Sequence, residues 1–277
     1  PYQFLQHSLS GKAPEMTKTD DGILVTTQNG SVFLDRTGAL TSWLIGGEQM
    51  LQAPLEPYFW KPENDNQKAA GFARLLAQWK DAAQSRIINS IRTEKDESTL
   101  KVIYNISLPS VGTGIFLTYA ITSNGHIQVD MNYMPIMADI PLIPKFGMRL
   151  RLPADYTHID YYGRGPWENY PDRQRSAFVG RYQMPLSQFE TEYVHPQDNG
   201  CRTDVRWLCI SNWQHTLRID GCQPLCIRAW DYGEEDLEEA KHPHEIQRGN
   251  FVNLNIDLNL HGVGGADTWG QRTLPQY

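Results

Sequence analysis

Glu168 is the carboxylate whose neighbours could most change its chemistry. It lies in the stretch Tyr161-Tyr162-Gly163-Arg164-Gly165-Pro166-Trp167-Glu168-Asn169-Tyr170-Pro171-Asp172-Arg173, where four aromatics, two glycines, two prolines, two acids and two arginines sit in thirteen consecutive residues. Flanking rings can exclude water from a carboxyl, as a general acid requires, or stack on a sugar. Glycoside hydrolysis takes two carboxylates roughly 5 to 9 Å apart, one on each side of the scissile bond. The chain has 32 acidic residues, and spacing alone pairs none of them with Glu168. The competing assignment is structural. Buried acids are usually paired, and Arg164 and Arg173 are close by in sequence.

Other reactive groups are thinly placed. His242-Pro243-His244 is a preformed pair, but a dedicated metal site takes three or four ligands and no Asp or Cys obviously completes it. Glu63, Asn64 and Asp65 set hard oxygens in a short loop, which makes a calcium-like ion an option, short of the six or more ligands calcium takes. Cys201, Cys209, Cys222 and Cys226 give no zinc spacing, and Cys209 and Cys226 read as buried free thiols in apolar runs. Gly-rich phosphate loop, Gly-x-Ser-x-Gly elbow and His-Glu-x-x-His are all missing from the sequence. No cofactor or metal is assigned.

The elements that must position these groups are strands. Gly22 to Thr27 and Ser31 to Leu34 flank Gln28-Asn29-Gly30, a hairpin signal because Asn-Gly tolerates positive φ. Further strands are predicted over 40–45, 100–107, 114–121, 126–133, 146–152, 157–162, 205–210, 216–219, 225–230 and 251–260. Ile127, Val129, Met131 and Tyr133 alternate with polar residues, the period of a strand with one buried face. Helix is scarce. Asn66 to Ala82 carries Ala69, Phe72, Leu76 and Trp79 on one helical face, weakened by Gly71, and the acidic run from Glu234 to Lys241 reads as a short solvated helix. These signals predict one all-β domain of two packed antiparallel sheets over residues 1–277, with 1–20 as an inter-domain segment.

Composition bounds the partners. With 25 bases and 32 acids the net charge is 25 − 32 = −7, which argues against nucleic acid. Apolar runs stop well short of the roughly eighteen residues that span a bilayer, so no membrane partner is expected. The chain opens on Pro1 without a signal segment, the pattern of a fragment or a processed product.

Tyr162-Gly163-Arg164-Gly165-Pro166-Trp167-Glu168-Asn169-Tyr170-Pro171-Asp172-Arg173 resembles the Tyr-Gly-x-Gly-Pro-x-Glu-Asn-Tyr-Pro-Asp-Arg signature of the last domain of the glycoside hydrolase family 2 β-galactosidases. Pro196-Gln197-Asp198-Asn199-Gly200 resembles that family's Pro-x-Glu-Asn-Gly. Leu254-Asn255-Ile256-Asp257, followed by Gly262-Val263-Gly264-Gly265-Ala266-Asp267-Thr268-Trp269, resembles its C-terminal motifs. Phe59-Trp60-Lys61-Pro62-Glu63-Asn64-Asp65-Asn66-Gln67 is similar to its Phe-x-Arg-Ala-Pro-x-Asp-Asn-Asp segment, with Lys61 in place of Arg and Gln67 in place of the last Asp.

The resemblance implies a large antiparallel β-sandwich like the galactose-mutarotase fold. It implies a C-terminal domain that completes one wall of a galactoside pocket, with the two catalytic glutamates on a barrel domain of the same parent chain. No eightfold strand and helix alternation is present here, so the isolated chain is expected to be inactive, with no catalytic residue of its own. Substrate contacts carried over from the family fall on Lys61, Glu63, Asn64, Asp65, Asn66 and Asn253, the last replacing an aromatic; Phe251 is the nearest ring. Either Phe251 or Trp269 substitutes for that aromatic, or the enzyme prefers a different aglycone. Tyr162, Gly163, Gly165, Pro166, Glu168, Asn169, Tyr170, Pro171, Asp172 and Arg173 are expected to be architectural. A bacterial cytoplasmic or periplasmic setting, a homo-oligomeric parent, and Mg or Na in its other domains complete the family expectation. The alternative is a free-standing sugar-binding module or mutarotase-like epimerase using His195 with Glu192 or Glu190.

Overall fold

The computed structural model describes residue 4 and residues 12–135, 142–265 and 271–277. The chain is all-β, with antiparallel sheets of sandwich type and a few short helices. It forms two compact units.

The first unit comprises His7–Pro57 and Asp81–Leu142. One sheet holds β1 (Glu15–Lys18), β2 (Gly22–Thr27), β3 (Gly30–Asp35), β4 (Leu40–Ile45) and β6 (Ala53–Tyr58) in that order, with β5 (Glu48–Gln49) beside β4. The β2–β3 hairpin closes on the pair Thr27 and Gly30, as the Asn-Gly signal predicts. The second sheet runs β10 (Ile127–Met134), β9 (Thr113–Thr122), β8 (Thr99–Leu108), β7 (Ile87–Lys95). Val102, Tyr104 and Ile106 alternate inward on β8, and the Tyr104 and Tyr119 hydroxyls reach the backbone oxygens of Asp35 and Gly38, each at 2.9 Å. Two layers of apolar side chains, tied by two phenols, make this unit a sandwich.

The second unit carries the chemistry-bearing residues in Tyr58–Lys80 and Ile143–Tyr277. Its sheet is β11 (Lys145–Pro153), β16 (Phe251–Leu260), β15 (Thr216–Trp230), β14 (Arg202–Ser211), β12 (His158–Gly165), β13 (Phe178–Pro185), antiparallel throughout, with β13 at the edge. The two strands predicted over 216–219 and 225–230 are one strand, β15. Between the pairs Trp207–Asp220 and Val205–Leu225 the register shifts, and Gly221 to Pro224, the polar middle of β15, bulge out of the ladder with β14. Strand β12 extends to Gly165, so the first residues of the aromatic stretch belong to a strand rather than a loop. A Cβ on Gly165 would sit 2.0 Å from the Tyr161 hydroxyl, which is why the strand can end there only on glycine.

The helix predicted over 66–82 is broken. Gly71, at φ 71°, separates α1 (Asp65–Ala69) from α2 (Phe72–Leu76), and a 3-10 turn follows at Ala77–Trp79. Phe72, Leu76 and Trp79 still face inward as their spacing predicts. The acidic helix is α3 (Glu234–Glu239), but its first residue is not solvated: Glu234 is fully buried.

Candidate functional site

The segment before α1 is shaped by reciprocal capping. Asn64 Oδ1 accepts from the Gln67 N–H at 2.9 Å, and Gln67 Oε1 accepts from the Asn64 N–H at 3.1 Å. The two amide groups also hold the segment that follows β16, since Asn64 Nδ2 donates to Val263 O at 3.0 Å and Gln67 Nε2 to Gly262 O at 2.8 Å. Asp172 accepts from the next two amides, Val263 and Gly264, at 3.0 and 2.8 Å. A Cβ on Gly262 would meet the Asp172 carboxyl carbon at 2.6 Å, so this junction requires a glycine.

Beneath the cap runs a chain of buried charges. Lys61 Nζ lies 3.2 Å from Asp198 Oδ2, the other Asp198 oxygen accepts from Arg228, and Arg228 reaches Asp257 at 3.2 Å. Asp257 pairs with Lys145 at 2.7 Å, and Lys145 donates to Asn255 at 2.6 Å. Asn255 and Asn253 each donate to Glu234, at 2.8 and 3.0 Å, and Arg149 closes the run on Glu234 at 3.0 Å. The Arg149 guanidinium also lies 3.9 Å from the centroid of the Tyr58 ring. Burial opposes the Glu234 charge, but Arg149, Lys145 and Arg228 outweigh it and hold that carboxyl at about 2. Burial also dominates for Lys145, which falls to about 8 despite Asp257. Asp198 stays below the usual carboxylate range because Arg228 and Lys61 overcome its desolvation.

Above this frame lies a cleft of about 440 Å³, lined by Glu63, Asn64 and Asp65 from one side, His195 and Pro196 from another, and α3 with Lys241 opposite. Asp65 Oδ1 is 3.1 Å from His195 Nδ1, and both side chains are partly exposed. Gln197 fixes Asp65 from behind, accepting its backbone N–H at 3.1 Å and donating to its carboxylate at 3.2 Å. Trp60 donates to Glu238 at 2.5 Å, and Lys80 binds the same carboxylate, so the segment before α1 and the end of the 3-10 turn after α2 are both latched to α3. The volume suits a small polar ligand, and the acids, lysines and imidazole suit hydroxyl groups.

Of the predicted contact residues, the cleft brings together Glu63, Asn64 and Asp65. Lys61 is buried beneath it, and Asn66 turns toward Val263 O at 3.4 Å. Asn253 is buried under Glu234, and Phe251 has its ring covered by Arg151 at 4.0 Å. Trp269 lies outside the described residues. Glu63 Oε2 accepts from the Ala73 N–H at 3.0 Å, and among the described residues no group of three or more His, Cys, Asp or Glu is arranged to hold a metal. Glu190 is bound to Arg248 at 2.9 Å, so the histidine's carboxylate neighbour is Asp65.

In the aromatic stretch, Glu168 accepts from Arg173, Tyr193 and the Gly200 N–H, the last at 2.8 Å. Asn169 Oδ1 accepts from the Thr203 amide at 3.0 Å, and its Nδ2 donates to Trp167 O at 3.0 Å. Tyr170 is buried, and Arg164 binds Asp204 at 2.5 Å. All four cysteines are free; Cys201 and Cys226 are buried, Cys209 is half-buried and Cys222 is exposed.

Sequence reasoning missed Arg228, Lys145, Arg149 and Glu234. A visible signal was Arg228, a charge inside an apolar strand run, and two further members, Asp198 and Asp257, sit in the quoted family motifs.

The family model described as the β-galactosidase small chain matches residues 26–277. The chain belongs to the β-galactosidase small-chain family. It is 28% identical to a β-galactosidase of Vibrio cholerae over 277 residues, 95% of this chain and 26% of that protein. It is 30% identical to one of Lactobacillus delbrueckii subsp. bulgaricus over 268 residues, again 95% of this chain and 26% of the relative. A Priestia megaterium β-galactosidase matches the whole chain at 25% identity across 27% of its own length. This small-chain family member therefore spans about a quarter of the curated relatives it matches.

Proposed function

We propose that this chain is the C-terminal part of a glycoside hydrolase family 2 β-galactosidase. In this reading it completes one wall of a galactoside pocket whose catalytic glutamates lie on a barrel domain outside the chain. The observation that carries the reading is the cleft beside Asp65 and His195, built on the segment that resembles the family's Phe-x-Arg-Ala-Pro-x-Asp-Asn-Asp stretch. Exposed hydrogen-bonding side chains on a rigid buried frame position a sugar without performing chemistry on it. Asp65 and Glu63 offer acceptors to sugar hydroxyls and His195 offers a donor or acceptor. The aromatic stretch serves as the corner that joins β12 to the loops around Asn169, Gly200 and Val263.

The test is hydrolysis of a nitrophenyl galactoside. The chain alone gives no turnover above the uncatalysed rate, and the complete enzyme turns over. Hydrolysis by the chain alone would contradict the assignment of the glutamates to another domain.

A second reading, an aldose epimerase, draws on the His195 and Asp65 pair, which has the spacing of an acid and base in contact. It requires that the chain accelerate the interconversion of α- and β-galactose, followed by NMR, and that His195→Ala abolish the acceleration. An unaccelerated rate removes this reading.

A further inference from the structure

Three of the large apolar side chains that the second unit exposes lie near one end of its sheet. Trp167 is 71% exposed, Phe178 77% and Val194 89%. Phe178 pairs with Gly165, beside the strand end from which Trp167 departs, whereas the next residue, Val179, points to the other face of the sheet. Val194 belongs to the same end because its neighbour Tyr193 donates to Glu168, next to Trp167. The strand that carries Phe178 is the last in the sheet order, pairing with β12 and, among the described residues, with no other strand. Exposed edges and clustered apolar side chains are features that folded proteins normally cover.

We infer that this end of the second unit is the docking surface for the larger part of the enzyme, the length of the relatives that this chain does not span. The inference rests on the pocket-wall reading and adds to it where the rest of the enzyme sits. The surface continues into the cleft: Val194 is followed directly by His195, which lines it. A body that closes the cleft over Asp65 and His195 passes over Val194 and reaches Trp167 and Phe178. A second copy of this chain would bring no catalytic glutamate pair to that cleft.

Hydroxyl-radical footprinting of the complete enzyme tests this without a substitution. Trp213, 79% exposed beyond the end of β14, is the internal reference. Trp167 and Phe178 are expected to oxidise at least about tenfold more slowly than Trp213, as residues at the core of an interface do. Equal rates would overturn the inference. Photocross-linking from p-benzoylphenylalanine placed at 178 identifies the cover: an adduct to the larger part supports the inference, and an adduct to a second copy, or none, overturns it. The pocket-wall reading is tested separately by substrate KM, so the two can fail independently.

Discussion

Lys61 Nζ donates to Gln67 Oε1 at 2.8 Å, with both side chains buried. These are the two positions at which the segment departs from the family's Arg and Asp, and each departure is the other's partner. A buried ammonium beside a neutral amide needs a second source of negative charge, which Asp198 supplies at 3.2 Å. Lys61, Gln67 and Asp198 thus form a closed, buried set of hydrogen bonds.

Gln67→Ala removes the cap of Asn64, the tie to Gly262 and one acceptor of Lys61 together. The expected loss is about 2 to 4 kcal/mol, since a buried ammonium keeps only part of its hydrogen bonding. Urea unfolding midpoints measure it, and a wild-type midpoint would show the interactions to be dispensable.

Asp198→Asn leaves Lys61 and Arg228 sharing one fewer anion inside the protein. Breaking a buried pair by removing one partner costs about 3 to 5 kcal/mol. The same change at Asp155, an exposed carboxylate bonded to Asn212, should alter the midpoint by less than about 0.5 kcal/mol.

Stability should be lost in acid through Glu234. Its folded value of about 2 lies below its ordinary 4.5, so its contribution is present above 4.5 and disappears as pH falls toward 2. A shift of that size corresponds to about 3 kcal/mol. Lys145 acts at the other end: its folded value of about 8 lies below 10.5, so the unfolded chain binds the extra proton and stability gains from pH 8 upward. Unfolding free energies measured from pH 2 to 10.5 check both arms. In Glu234→Gln the acid-dependent step should shrink.

Glu168→Gln should lower the melting temperature by about 5 °C, as loss of a charge-assisted set of hydrogen bonds does, and leave sugar affinity unchanged. Lost affinity at unchanged stability in a galactoside titration would instead place Glu168 in a binding site.

Much of the fold was legible because its signals are local. Asn29-Gly30 specifies its hairpin, and the alternation from Ile127 to Tyr133 specifies β10 with a one-residue shift at each end. Strands β7 and β13 escaped notice because both are largely exposed sheet edges, where no buried face imposes a period of two. Gly71 was visible as a weak point, but its positive φ is a property of the packed chain. The site was less legible. Glu234 reads as one more acid in a solvated run, and its cations, Arg149 and Lys145, lie far away in sequence on β11. Asn253 reads as a lost aromatic, whereas in three dimensions its amide satisfies the buried Glu234. Pairings of this kind are set by the register of β11 against β16, which no local window contains.

The pocket-wall assignment is tested most directly by galactoside kinetics of the complete enzyme carrying Asp65→Ala. Asp65 is exposed, and among the described residues its carboxylate meets His195 and Gln197 alone, so the change leaves the buried frame intact. The account predicts a KM about fivefold higher, equivalent to about 1 kcal/mol of lost hydrogen bonding, with kcat within about twofold of wild type. A wild-type KM at unchanged stability would contradict it.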